Sequence, residues 1–288
     1  MRIVVLGGAG MLGQALAPVL SGRGHDVVGA TRSDVDVRDP GGCAAAARAA
    51  DVVVNLAAWT KVDDAEAQER EAFDVNATGA AHVARACATA GARLVHLSTD
   101  YVFDGTATAP YGEDDPLRPR TAYGRTKAAG EWAVRAALPD AVIVRTAWLY
   151  GPGGPNFVRT MARLAGERET LSVVDDQLGQ PTATPDVARF LADLVAHRSA
   201  TGTFHATSDG ETTWFGLARA VFEELGLNPD RVQPTTSDAY AAAAPRPPYS
   251  VLGHERTAAL GLAGLPHWRD ALAGCVHEVV AGVPTGGR

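Results

Sequence analysis

The chain has 288 residues, 46% of them hydrophobic and 20% charged, which suits one large globular domain or two modest ones with ample core. A net charge of -7 is spread along the sequence; no basic run suggests nucleic acid, and no apolar stretch approaches a membrane span. The apolar start at Met1–Leu6 is too short for a signal peptide, and Cys43, Cys87 and Cys275 are scattered through Ala-rich, helical-looking surroundings. These features lead us to expect a cytoplasmic protein with reduced, buried thiols and no nucleic-acid or membrane partner.

The first half alternates short apolar runs with longer Ala-rich segments. Strands are predicted at 3–6, 25–30, 52–56, 94–97 and 142–144, with helices at 11–20, 42–50, 73–90 and 123–137. Strands that are apolar on both faces and alternate with helices imply a parallel sheet covered on both sides. The expected class is therefore α/β: a Rossmann-type doubly wound sheet over residues 1–150, completed by later segments. After Leu149 the pattern turns irregular. Helices are predicted at 157–165, 187–196, 215–225 and 268–280, and short strands at 171–174 and 202–205. Residues 151–288 read mainly as a smaller substrate-binding lobe, with an ordered loop at Pro245–Pro248 and a frayed end at Pro284–Arg288.

Gly7-Gly8-Ala9-Gly10-Met11-Leu12-Gly13 follows the first strand and opens the first helix, the context a dinucleotide fingerprint requires. Gly7 allows the tight turn, Gly10 lets a pyrophosphate approach the backbone, and Gly13 permits close helix packing. The helix amino end favours the phosphate charge. At the end of the second strand, an enzyme preferring NADH usually carries an acid that binds the ribose hydroxyls. Thr31 stands there with Arg32 after it, which suits the 2′-phosphate of NADPH, while Asp34 and Asp36 nearby leave NADH open.

Tyr123 and Lys127 lie four residues apart, on one face of a predicted helix. An ammonium there favours the phenolate, so the tyrosine pKa is expected to fall toward neutrality and fit it for proton transfer at a carbinol oxygen. Ser98 and Thr99 end the fourth strand, where hydroxyls face the ligand crevice of an open sheet; Thr99 can hold that oxygen. The glycine loop, Thr99 and the Tyr123–Lys127 pair occur in the order of an oxidoreductase. Asn76 lies on a helix facing the sheet, either bonding backbone beside the active site or serving as a buried structural residue.

Six stretches carry a family resemblance: GGAGMLG at 7–13, NLAAWTKVDDAE at 55–66, LSTDYVFDG at 97–105, YGRTK at 123–127, RTAWLYG at 145–151 and DDQLGQPT at 175–182. In this order they resemble the extended short-chain dehydrogenases and, among them, the dTDP-4-dehydrorhamnose reductase family, over nearly the whole length. The resemblance implies a catalytic triad of Thr99, Tyr123 and Lys127. It implies a pyrophosphate loop at Gly10, Met11 and Leu12, and an adenine-side pair at Asp36 and Val37. Ala57, Ala58, Trp59 and Thr60 would run along the cofactor, with Tyr123 and Lys127 beside it. Thr99, Asp100 and Trp148 would meet the sugar, with Val62 and Tyr101 as neighbours.

The implied activity is NADPH-dependent reduction of the C4 ketone of a dTDP-linked 6-deoxyhexose, dTDP-4-dehydro-L-rhamnose before others. Another dTDP-deoxysugar ketoreductase, an epimerase or dehydratase holding NAD, and a non-catalytic subunit of the kind that regulates methionine adenosyltransferase stay open. Arg246-Pro247-Pro248-Tyr249-Ser250-Val251-Leu252 fits the family's R-P-x-x-S-x-L, but Gly253 stands where Asp or Asn is usual, which leaves the fine structure of the sugar site and the exact substrate open. The resemblance allows a homodimer. Some members hold a divalent ion at its interface, and no acidic cluster here supports assigning a metal.

Overall fold

The computed structural model describes residues 1–240 and 242–283, so the end at Pro284–Arg288 lies outside the described residues. Six parallel strands build the central sheet: β1 (Arg2–Leu6), β2 (Asp26–Ala30), β3 (Val52–Asn55), β4 (Arg93–Thr99), β5 (Val142–Thr146) and β6 (Gly202–His205). The longer helices are α1 (Met11–Gly22), α2 (Pro40–Arg48), α3 (Ala80–Ala90), α4 (Ala122–Ala137), α5 (Phe157–Glu167), α6 (Thr184–Ala196), α7 (Trp214–Glu224) and α8 (Trp268–Val279).

Alternation along the strands sorts the two faces. Ile3, Val5, Val52, Val54, Val95 and Val144 pack with Leu16 and Leu20 of α1 and Leu191 and Leu194 of α6. Val4, Leu6, Val53, Leu94 and Ile143 meet Cys43 of α2, Val83 and Cys87 of α3, and Val134 of α4. Each fully buried Val, Ile or Leu is worth about 1.5–3 kcal/mol, so this double cover is the main support of the sheet.

The spatial order is β6-β5-β4-β3-β1-β2. Chain direction across the sheet reverses between β1 and β3, and a ligand crevice opens at the carboxyl ends of strands at such a point. The sixth strand comes from beyond residue 150: β6 pairs in parallel with β5 from Gly202↔Val142 to His205↔Arg145. Residues 184–205 therefore lie with the sheet. The physical reason is the apolar face of α6, which meets α1 over the same core. The smaller lobe comprises α5, α7 and α8 around a parallel pair, Leu171–Val174 with Val232–Thr235, and its core includes Leu217, Phe222 and Leu272.

The helix expected over 73–90 is continuous but carries a π-turn. After a short helix at Val62–Ala67, Glu69–Phe73 runs through a π-helical turn at Asp74–Gly79 directly into α3, and Phe73, Gly79 and Ala80 all keep helical backbone angles. π-turns often mark functional sites. This one carries Asn76, and α4 crosses it so closely at Gly130 that a side chain there would strike the Asn76 carbonyl.

Candidate active site

The carboxyl ends of β1 to β5 border one cavity of about 850 Å³, within the range of small-molecule and cofactor sites. At one end the glycine loop turns from β1 into α1. Gly7 adopts φ +80°, and a Cβ on Gly13 would lie 2.6 Å from the Gly7 carbonyl oxygen, so neither position tolerates a side chain without strain. No side chain caps the amino end of α1, and its first turn carries no acid. Its free N–H groups and dipole are therefore available to an anion.

Around the end of β2, the Asp34 carboxylate accepts from the Thr31 N–H at 2.8 Å and from its hydroxyl at 2.7 Å, so Asp34 is spent on the turn. Arg38 grips Asp36, with Nε 3.0 Å from Oδ1 and Nη2 2.5 Å from Oδ2. That hydrogen bond outweighs the cost of burial and holds the Asp36 carboxyl well below the usual range. Arg32 reaches the same carboxylate from farther away, at 3.4 Å, and is largely exposed. Two guanidiniums share the Asp36 carboxylate, with Asp34 turned onto Thr31 beside them.

Across the cavity, β3 ends in Asn55, whose Oδ1 accepts the Ala57 N–H at 3.2 Å and whose amide meets His96 Nδ1 at 3.1 Å. Burial first, and the charge of Lys127 second, hold His96 neutral. Asn76 is fully enclosed and does not border the cavity; it bonds backbone beside it. Its Oδ1 accepts the Trp59 N–H at 2.8 Å, and its Nδ2 donates to the Trp59 carbonyl at 3.1 Å and to Thr126 Oγ1 at 3.0 Å. It braces the Ala57–Thr60 segment from behind.

Tyr123 sits in the first turn of α4. The Thr121 hydroxyl caps that helix by accepting the Gly124 N–H at 3.0 Å, and Glu66 accepts the Ala122 N–H at 2.8 Å. Arg125 pins the helix to Glu69 through two bonds, at 2.7 and 2.8 Å. Tyr101 packs edge-on to the Tyr123 ring, with centroids 5.6 Å apart. Thr99 Oγ1 donates to Asp100 Oδ1 at 2.9 Å. Burial lifts the Asp100 carboxyl to about 6, against its bond from Thr99, and Oδ2 has no hydrogen-bond partner among the described residues.

The expected lowering of the Tyr123 pKa is overturned: burial pushes the phenol up to about 12, and the Thr99 hydroxyl opposes this only in part. Lys127 directs its ammonium elsewhere, donating from Nζ to the Leu97 carbonyl at 2.6 Å. Burial lowers Lys127 itself to about 8, against the pull of Glu131.

At the far end stands Trp148, the one non-glycine with positive φ, +46°, among the described residues. That conformation costs a bulky side chain about 1–3 kcal/mol and persists only where its surroundings enforce it. The indole lies flat against Trp214, centroids 3.6 Å apart and planes 6° from parallel.

Apart from Asn76, every candidate residue named from the sequence lines this cavity: Gly7, Gly10, Met11, Leu12, Gly13, Thr31, Arg32, Asp36, Val37, Ala57, Ala58, Trp59, Thr60, Val62, Thr99, Asp100, Tyr101, Tyr123, Lys127 and Trp148. The sequence reading missed Thr146, Ala147, Leu149 and the Gly153–Pro155 turn, which also border it. Gln14 bonds the Ala9 carbonyl at 2.7 Å and the Gly153 carbonyl at 3.3 Å, tying that turn to the glycine loop. The Gly/Pro run at 151–155, directly after a strand, was the available signal. Gly253 does not border the cavity: its N–H donates to the Tyr111 carbonyl at 2.8 Å and its carbonyl meets His205 Nδ1 at 2.8 Å.

The family model for the RmlD substrate binding domain matches residues 1–281. A dTDP-4-dehydrorhamnose reductase of Streptomyces griseus is 51% identical over 280 residues, covering 94% of this chain and 91% of that one. A dTDP-4-keto-6-deoxy-D-glucose reductase of Streptomyces niveus is 50% identical over 274 residues, covering 94% and 95%. The crystal structure of dTDP-4-dehydrorhamnose reductase from Bacillus anthracis in complex with NADP aligns at TM-score 0.92 and 36% identity, covering 96% of this chain and 99% of that one. Fold, motifs and relatives agree, and the chain belongs to the dTDP-4-dehydrorhamnose reductase family of extended short-chain dehydrogenases.

Proposed function

We propose that this protein reduces the C4 ketone of a dTDP-linked 4-keto-6-deoxyhexose with NADPH, dTDP-4-dehydro-L-rhamnose being the first candidate. One observation carries the reading: the uncapped amino end of α1 and the trio Thr99, Tyr123 and Lys127 open onto a single cavity. The residues fit a dinucleotide, because the loop has no side chain to obstruct a pyrophosphate and its N–H groups are unclaimed by a cap. Arg32 would meet the 2′-phosphate, and Asp36 and Val37 the adenine. Bound there, the dinucleotide supplies the hydride.

Tyr123 enters as the acid. Burial keeps its phenol protonated, and the proton passes to the ketone oxygen as negative charge develops there. Lys127 has one N–H committed to the Leu97 carbonyl and two left for ribose hydroxyls. Thr99 presents its hydroxyl beside the phenol as the second holder of the sugar oxygen. Trp148 offers an aromatic wall to the hexose.

The relatives at 51% and 50% identity carry different sugar names, so identity does not choose between their substrates. The test is NADPH oxidation with dTDP-4-dehydro-L-rhamnose and dTDP-4-keto-6-deoxy-D-glucose in parallel, the product read by NMR. We expect a new C4 hydroxyl from at least one. No oxidation with either, or turnover by tightly held NAD without added NADPH, overturns the reading.

A further inference from the structure

Trp148 must be held in a conformation it would not adopt alone, and nothing in its own strand does this. Its carbonyl accepts the Thr182 N–H at 3.2 Å, which fixes the backbone but leaves the ring free. The ring is fixed from the other lobe. Trp214, at the first position of α7, covers it almost in parallel, and Phe157 packs on Trp214 with centroids 4.6 Å apart. Gly179 leaves room for this: a Cβ there would lie 2.6 Å from Trp148 Cε2.

Trp214 is itself clamped. Its indole N–H donates to Gln177 Oε1 at 3.0 Å, and Gln177 Nε2 donates to Ser237 Oγ at 2.8 Å. Ser237 Oγ in turn donates to Asp176 Oδ1 at 2.6 Å. Thr213, which caps α7, donates to Asp175 Oδ1 at 2.6 Å. The stretch Asp175–Gly179 thus borders no part of the cavity; Leu178 pairs it with Tyr249, while Gln177 and Asp175 hold Trp214 and the start of its helix.

We propose that Trp214 is a positioning residue for substrate: it acts through Trp148, holding that indole at the angle the hexose meets, and Gln177 and Asp175 fix Trp214. The proposal rests on the reading of Trp148 as the sugar wall. A structural role alone would lower stability and leave substrate affinity intact well below the melting temperature. A positioning role raises KM for the sugar nucleotide and spares NADPH binding, because Trp214 does not border the cavity and reaches it only through Trp148.

The experiment is a double-mutant cycle on KM, with NADPH affinity titrated in each variant. Removing an aromatic stack is worth on the order of tenfold, so Trp214→Ala should raise KM for the sugar nucleotide about tenfold, with NADPH affinity unchanged. Trp214→Phe should restore most of the loss. Trp148→Ala should raise KM at least as far, and adding Trp214→Ala to it should cost nothing more. Additive losses, or wild-type KM in a folded Trp214→Ala enzyme, overturn the positioning role. Wild-type KM in Trp148→Ala removes the wall itself and the proposal with it, and that outcome is distinguished by the single variant alone.

Discussion

The ammonium of Lys127 lies 2.6 Å from the backbone carbonyl of Leu97, beneath the end of β4. This bond sets the lysine between the strand that carries Thr99 and the helix that carries Tyr123. Lys127→Met keeps the bulk and loses the charge and all three donors. We expect turnover to fall and NADPH affinity to weaken by about tenfold, the scale of a hydrogen bond to a charged group. Titration with NADPH checks this; unaltered affinity would remove the ribose contact from the mechanism. Because burial brings the ammonium down to about 8, wild-type turnover should also decline as pH rises through about 8 and the charge is lost.

Tyr123→Phe removes one oxygen from a ring that is otherwise packed on Tyr101. A general acid contributes about a hundredfold or more to rate, so kcat should drop by at least that factor while NADPH binding stays as in the wild type. Stopped-flow single turnovers make the comparison direct. A variant that reduces the ketone at near-normal speed would exclude Tyr123 as proton donor.

Asp100 gives a pH signature in stability. Its carboxyl rises from 3.8 to about 6 on burial, so the folded state binds the proton more tightly than the unfolded chain. The sign follows: this stabilisation is fully present below about 4 and is lost as pH climbs through 6. Asp100→Asn removes the titration. Relative to wild type, the variant should gain up to about 3 kcal/mol between pH 4 and pH 7. Urea unfolding at both pH values would show it, and a constant difference between the two proteins would contradict it.

Cofactor choice turns on Arg32 and Arg38 around Asp36. With Arg38 neutralising Asp36, Arg32 is left to read a 2′-phosphate, and the pair is open enough to water that the preference for NADPH over NADH should be about tenfold in kcat/KM. Arg32→Ala should erase most of that preference and leave NADH kinetics nearly unchanged. Equal use of both cofactors by the wild type, or a preference intact in Arg32→Ala, would show that this loop does not read the phosphate.

Much of the sheet was legible in the sequence for local reasons, and much of the cavity lining through the family resemblance. Runs such as Ile3–Leu6 and Val52–Asn55 admit only buried strands, and the glycines at 7, 10 and 13 fall where β1 hands over to α1. What was not legible depended on partners distant in sequence. The tyrosine–lysine spacing gave the shared helix face but not the Leu97 carbonyl that captures the ammonium, nor the burial that raises the phenol. Asn76 was seen as buried, yet its bonds to Trp59 required the π-turn, for which Asp74–Gly79 offers no local signature.

The return of the chain to supply α6 and β6 has a consequence for dissection of the molecule. A fragment ending at residue 150 would lose the strand that covers β5, leaving an unpaired, apolar edge prone to joining another copy. It would also lose His205 from beside Arg145, whose guanidinium is enclosed with Glu131 in an ion pair of 2.9 and 2.8 Å and with the Glu113 carbonyl at 3.1 Å. We therefore expect a fragment ending at residue 150 to associate rather than fold as an independent piece. The same threading carries the chain between sheet and smaller lobe more than once, so the two are joined by separate passages rather than by one linker.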